Sequence, residues 1–321
     1  MNAWNLEYRG TAHKVLLQAV DDLHNMPLIR NYAKYIPIVQ SSGMGKPKTV
    51  DKVATERILF PMCLRDDIGG AYHVLLIVDG NSITFAPAHP PTDEVVRDYF
   101  NCAPSTNDER RCKRYIRSFL SSLFTLALDQ FEKLLPPDKK VPYAYMAKTI
   151  HKLFADPLQR YDFYKNVVAI ASNGRPYIDV SVSFEKLMNK LKQCCSNWLP
   201  SESCPILISI DEVQTLYTHR VVDNVEYSLF AALKSVMNEL IMHPFVLISL
   251  STAIHDSSLT PWRPKEIPPS MHAGSRERIL PAPLTELPFD VFVDSEPLVP
   301  GQAILTSVGS LEFTAKFGRP L

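Results

Sequence analysis

Three short stretches of the chain carry residue types that could do phosphate chemistry. In the first, Tyr35-Ile36-Pro37-Ile38-Val39 is apolar and β-branched, which predicts a strand, and it runs straight into Gln40-Ser41-Ser42-Gly43-Met44-Gly45-Lys46. Small residues in such a turn let several backbone N–H groups converge on an anion. A lysine adds charge for the β- and γ-phosphates, and the N-terminus of a following helix favours negative charge at the same point. The pattern glycine, four residues, glycine, lysine, serine or threonine is met only in part, because Gln40 stands at the first glycine position and Pro47 at the hydroxyl position. In the second stretch, Pro205-Ile206-Leu207-Ile208-Ser209-Ile210 reads as a strand covered on both faces, and Asp211-Glu212 follow it. An acid there either holds a magnesium ion and polarises water or simply faces solvent. The third is another buried-looking strand, Phe245 to Leu250, closing in Ser251-Thr252, which either sense a terminal phosphate or cap the strand end.

These residues need a scaffold, and the hydrophobic periodicity predicts one. Helical spacing of Val15, Leu16, Ala19, Val20 and Leu23 predicts a helix over 11–25, ended by Pro27. A second strand is expected over 59–64. Between 66 and 108 the sequence suggests an insertion or loop, with a hairpin (73–78, then 82–85) and a proline-rich stretch from Pro87 to Pro91. A long core-facing helix is expected over 111–135, stopped by Pro136-Pro137, then a helical pair between 142 and 171 and an amphipathic helix from Phe184 to Trp198. A helix over 225–241 joins the acidic strand to the strand at 245–250, which is βαβ construction. Residues 254–288 are proline-rich and aperiodic, 289–293 form one more expected strand, and a short helix is expected from Ser310. The reading is thus an α/β fold with a mostly parallel sheet flanked by helices and a helical insertion. Residues 1–34 form an N-terminal helical segment and 35–321 the main domain, whose last string, Gly318-Arg319-Pro320-Leu321, looks like the middle of a domain from which a C-terminal lid is missing.

Bulk composition narrows the function. A length of 321 residues with 46% hydrophobic content supports a real core. The 34 basic and 34 acidic residues give a formal net charge of zero, so charge does not imply nucleic acid as a partner. Six cysteines without a C-x-x-C pair and nine dispersed histidines without H-E-x-x-H speak against a disulfide framework or a zinc site. No apolar run is long enough for a signal peptide or a membrane span, which predicts an intracellular protein, cytoplasmic or nuclear, with no membrane partner.

The combined strings carry a resemblance. Val39 to Lys46, Pro61-Met62-Cys63-Leu64-Arg65, Ile208 to Glu212, Leu250-Ser251-Thr252, Leu284-Thr285-Glu286-Leu287-Pro288-Phe289-Asp290 and the closing Phe317 to Leu321 resemble a group of P-loop ATPase-like proteins of fungi. That group looks related to the NTPase modules of Crinkler and retrotransposon hot-spot proteins, and more distantly to AAA+ and STAND ATPases. The resemblance implies a P-loop NTPase fold of the additional-glutamate type, with ATP and magnesium as ligands. Lys46 would neutralise the β- and γ-phosphates, and the amides of Ser42, Gly43, Met44, Gly45 and Lys46 would line them. Asp211 would hold magnesium, Glu212 would polarise the attacking water, and Ser251 or Thr252 would sense the γ-phosphate. Arg65 and Arg319 are either charge-stabilising arginines or solvated or salt-bridged ones.

Members of the group usually carry serine after the lysine, whereas this chain has Pro47. Proline there removes both a magnesium-ligating hydroxyl and a backbone N–H that would reach the β-phosphate. It also disfavours helical geometry at Lys46. A hydrogen bond to a charged group is worth about 1.5–3 kcal/mol, so the missing amide alone weakens binding by roughly ten- to a hundredfold. Two functions compete on these residues: an ATP-binding, magnesium-dependent hydrolase that acts on a protein partner or attached domain, and a degenerate nucleotide-binding or protein-interaction module without hydrolysis. A DNA-associated role in mobile elements rests on the family resemblance alone.

Overall fold

The strand-forming runs pair in parallel, as their continuous apolar character requires when both faces are covered. The computed structural model describes Tyr8 and residues 10–27, 33–40, 45–66, 73–78, 82–87, 90–103, 109–135, 140–173, 179–217, 220–222, 225–252 and 284–285. In chain order these form α1 (Ala12–Asn25), β1 (Tyr35–Val39), α2 (Lys46–Ala54), β2 (Ile58–Cys63), β3 (His73–Val78), β4 (Ser82–Pro87), α3 (Glu94–Asn101) and α4 (Glu109–Leu134). They continue as β5 (Val141–Pro142), α5 (Tyr143–Ala155), α6 (Pro157–Ser172), α7 (Val180–Cys194), β6 (Cys195–Ser196) and β7 (Ile206–Asp211). A 3-10 turn (Val213–Tyr217) leads to β8 (Arg220–Val222), β9 (Val225–Tyr227), α8 (Leu229–Glu239) and β10 (Phe245–Ser251).

The central sheet has the order β1-β10-β7-β2, all parallel. On the open side of β1, Leu284 adds a parallel bridge: its N–H donates to the Pro37 carbonyl at 2.8 Å, and its carbonyl accepts from Val39 N–H at 3.0 Å. Alternation along the strands sorts side chains to two faces. Ile36, Ile38, Leu59, Leu207, Val246, Ile248 and Leu250 pack with α1 and α2. Tyr35, Phe60, Ile206, Ile208, Ile210, Phe245 and Leu247 share a larger core with residues of α3 to α8.

The hairpin expected near residue 80 is present as a separate antiparallel pair, with His73 opposite Pro87. Three expectations change. The 66–108 region contains a helix, α3, which buries Val96, Tyr99 and Phe100. The helix expected from 225 starts at Leu229, because 225–227 pair with 220–222 and Ser228 accepts the Ala231 N–H at 3.1 Å as an N-cap. The helix expected to reach Trp198 ends at Cys194, where Cys195 and Ser196 pair with Val141 and Pro142. The strand expected over 289–293, the helix from Ser310 and most of 254–288 lie outside the described residues.

One buried ion pair ties the helical insertion to the end of β2. Arg160 of α6 donates to both carboxylate oxygens of Asp93, at 2.7 and 2.6 Å, and both side chains are buried. The same Asp93 accepts the Cys63 N–H at 2.8 Å, while its own N–H donates to the Cys63 carbonyl at 2.9 Å. Asp93 precedes α3 yet caps nothing with its side chain, because both oxygens are engaged here. Asp93→Ala should therefore cost about 3–5 kcal/mol in denaturant unfolding, because it strands a buried guanidinium. A loss below about 1 kcal/mol would contradict this role for the pair.

Candidate functional site

Strand order brings the chemistry-bearing residues to one edge. In parallel strands all carboxyl ends point the same way, and ligands of open α/β sheets bind outside those ends. Here β1 ends at Val39, just before Gln40, β10 at Ser251 and β7 at Asp211, with register pairs Val39 to Ser251 and Leu250 to Asp211. One strand separates the loop strand from the acidic strand, so their ends lie about 10 Å apart. The Gln40 N–H donates to the Ser251 carbonyl at 3.2 Å, which extends the β1–β10 ladder into the loop.

Gly45 sits in the left-handed region (φ 76°, ψ 12°) and caps α2. A Cβ placed there would meet nothing within 4 Å, so glycine is needed for its backbone conformation alone. Helix α2 begins at Lys46, with Pro47 in its first turn, where an N–H has no intrahelical partner in any case. The expectation that Pro47 would draw Lys46 out of helical geometry is therefore not met. Ser42, Gly43 and Met44 lie outside the described residues.

Lys46 is 3% exposed, and its Nζ donates to the Gln40 carbonyl at 2.5 Å. Burial lowers its pKa from the ordinary lysine value, while the charges of Asp211 and then Glu212 pull it back. Lysine and acidic pair thus share one electrostatic environment. Asp211 is 6% exposed, and its Oδ2 makes no hydrogen bond among the described residues. Burial, reinforced by the neighbouring Glu212 charge, pushes the Asp211 carboxyl up to about 6, against the pull of Arg65, the Glu212 N–H and Lys46. Arg65, past the end of β2, sets its Nη2 3.8 Å from Asp211 Oδ2, so it is salt-bridged within the site. Arg319 lies outside the described residues.

Glu212 has φ 56°, a left-handed conformation that costs a non-glycine residue on the order of 1 kcal/mol. Local bonds hold it there: its N–H donates to Asp211 Oδ1 at 3.0 Å, and its carbonyl accepts from Thr215 N–H at 3.2 Å and Thr215 Oγ1 at 3.1 Å. Gln214 donates from Nε2 to the Glu212 carboxylate and accepts from Ser251 Oγ at 3.3 Å. It thereby joins the acidic turn to the end of β10. Sequence reasoning missed Gln214, since one turn of 3-10 helix after an acidic pair leaves no periodic signal. Thr252 follows Ser251 and is half-buried.

The donor set can be weighed against a magnesium ion. Such an ion at a phosphate takes one or two carboxylates and completes its shell with phosphate oxygens and water. The buried Asp211 Oδ2 suits that role, and a cavity of about 120 Å³ lies beside it, lined also by Pro47, Ser209, Pro61, Arg160 and His151. Pro47 supplies no hydroxyl, and among the described residues no group of three or more His, Cys, Asp or Glu side chains could hold a metal by itself. The residues fit magnesium through a single side-chain ligand. All six cysteines are free thiols, and among the described residues no helix is long and apolar enough to cross a membrane.

No family model matches the chain, and neither the search of curated proteins nor that of solved structures returns a match.

The buried carboxylate fixes a pH signature. A carboxyl raised to about 6 in the folded protein, from an ordinary 3.8, contributes stability that is fully present below about pH 4 and lost as pH rises through 6. Asp211→Asn should accordingly stabilise the nucleotide-free protein at pH 8, by on the order of 2–3 kcal/mol, with the gain shrinking through pH 6 and gone near pH 4. Thermal unfolding of both proteins across that range measures it. A difference that does not vary with pH would contradict the burial of the charge.

Proposed function

We propose that the chain is an ATP-binding P-loop NTPase-like protein of the additional-glutamate type, with attenuated nucleotide affinity and slow hydrolysis. The observation that carries the reading is the convergence of Lys46, Asp211, Glu212 and Ser251 at the carboxyl edge of one parallel sheet. The order β1-β10-β7-β2, with Leu284 bridged to β1, sets one strand between the loop strand and the acidic strand, which lets a single ligand reach both.

In this reading the α2 N-terminus and the amides of residues 42–46 bind the phosphates, and Lys46 leaves the Gln40 carbonyl to meet the β- and γ-phosphates. Asp211 and the phosphates would hold magnesium, which when bound screens phosphate charge. Glu212 polarises the attacking water, and Gln214 ties it to Ser251, the strand end that faces the terminal phosphate. The missing Pro47 amide and hydroxyl weaken binding and deprive the metal of a ligand, which slows turnover. Pro47 also favours a second reading, a nucleotide-holding or protein-interaction module without hydrolysis, in which occupancy alone changes how a protein partner is met.

Thermal unfolding with ATP and magnesium, beside phosphate release, separates these readings. ATP at a hundred times its dissociation constant should stabilise the natural chain by about 2.7 kcal/mol, and Lys46→Ala should abolish the shift. Pro47→Ser should raise turnover at least tenfold, and adding Glu212→Gln should remove that turnover. Binding without turnover in Pro47→Ser would favour the module reading. No shift in either protein would end the nucleotide reading.

A further inference from the structure

Arg65 faces Asp211 Oδ2, a buried oxygen at which a divalent cation would be held. It stands two residues beyond β2, the neighbour of β7 on the side away from β10 and β1. Lys46 reaches the Asp211 charge from the loop side and Arg65 from the opposite side. The backbone before and at Arg65 is fixed. Leu64 N–H donates to the Asp211 carbonyl at 3.0 Å, which carries the β2–β7 pairing one step past the strand, and the Arg65 carbonyl accepts from Arg97 Nη1 at 3.2 Å. Just before it, Cys63 is held through both backbone groups by Asp93, itself locked by Arg160. The Arg65 side chain is 18% exposed and sits 3.8 Å from Asp211 Oδ2, close enough for charge neutralisation but beyond hydrogen-bond distance. A guanidinium is always charged and presents five N–H donors in a planar fork that matches phosphate oxygens.

On the phosphate side, Pro47 removes the hydroxyl that would hold a divalent cation between α2 and β7. Among the described residues a metal there would find the Asp211 carboxylate, which already faces Arg65.

We propose that, when no magnesium is bound, Arg65 stands in for it: it neutralises Asp211 and donates to the polyphosphate, so that this chain binds ATP with or without magnesium. The inference rests on the nucleotide-site reading and adds its mode of charge neutralisation. The two cations are alternatives at one oxygen, so removal of the arginine should make binding metal-dependent. Charge-assisted bidentate contacts to phosphate are among the stronger polar contacts available to a protein, which sets the size of the effect.

Calorimetric titration with ATP, in excess EDTA and in excess magnesium, tests this on the full chain. The natural chain should bind ATP in EDTA within about threefold of its affinity in magnesium. Arg65→Ala should lose about tenfold or more in EDTA and regain part of it in magnesium. Arg65→Lys, which keeps the charge but not the fork, should fall between them. Unfolding of each nucleotide-free variant reports whether the fold is intact, and recovery of affinity by magnesium is a response that a purely structural role of Arg65 would not give. Binding by the natural chain only when magnesium is present, or an Arg65→Ala affinity in EDTA equal to the natural one, would overturn the inference and leave the nucleotide site standing. Absence of binding under both conditions would overturn the two together.

Discussion

A carboxylate buried at the end of a central strand is here only partly offset by nearby cations, and the strands on either side decide which cations those are. Asp211 ends β7 and is almost fully enclosed, with one oxygen left without a hydrogen bond among the described residues. Burying a charge without partners costs several kcal/mol, so the groups beside it are functionally telling. Lys46 approaches from the first turn of α2 and Arg65 from beyond β2. Neither could do so unless β1 and β2 were held on either side of the β10–β7 pair. The register of that four-stranded sheet is thus the mechanical basis of the electrostatics.

The same arrangement explains how Pro47 is accommodated at the start of α2. Helix α2 still starts at Lys46, because a proline in the first helical turn gives up an N–H that has no partner within the helix, and Gly45 supplies the left-handed residue that turns the chain into it. The helix tolerates proline there, while an anion at its N-terminus would have one donor fewer. On the other side of the site, Glu212 keeps a strained backbone conformation supported by bonds from Thr215 and Gln214. Strain that is retained at the end of a sheet, beside a buried lysine and a buried acid, is where a working site is expected.

Much of this was legible in the residues themselves. The continuous apolar runs at 35–39, 206–210 and 245–250 announced buried parallel strands, and the acids and hydroxyls at their ends lie at one edge of that sheet. What periodicity cannot convey is neighbourhood: nothing in the sequence says that β10 lies between β1 and β7, or that β2 closes the other side. Arg65 could be named as an arginine of interest, but its pairing with Asp211 follows from that neighbourhood. Helix α3 escaped because it is eight residues long and follows a proline-rich stretch. The stretch 225–227 continues the apolar spacing of α8, whereas pairing with 220–222 decides its conformation. Gln214 had no signal at all, since its role arises only when a single 3-10 turn sets it between Glu212 and Ser251.

The central claim is that the loop lysine and the acidic pair form one nucleotide site, and a structure of the chain crystallised with a non-hydrolysable ATP analogue tests it most directly. The account predicts the triphosphate at the carboxyl edge of β1, β10 and β7, with Lys46 bonded to its phosphates and Ser251 facing the terminal one. An analogue bound elsewhere on the molecule, or none bound at saturating concentration, would contradict it.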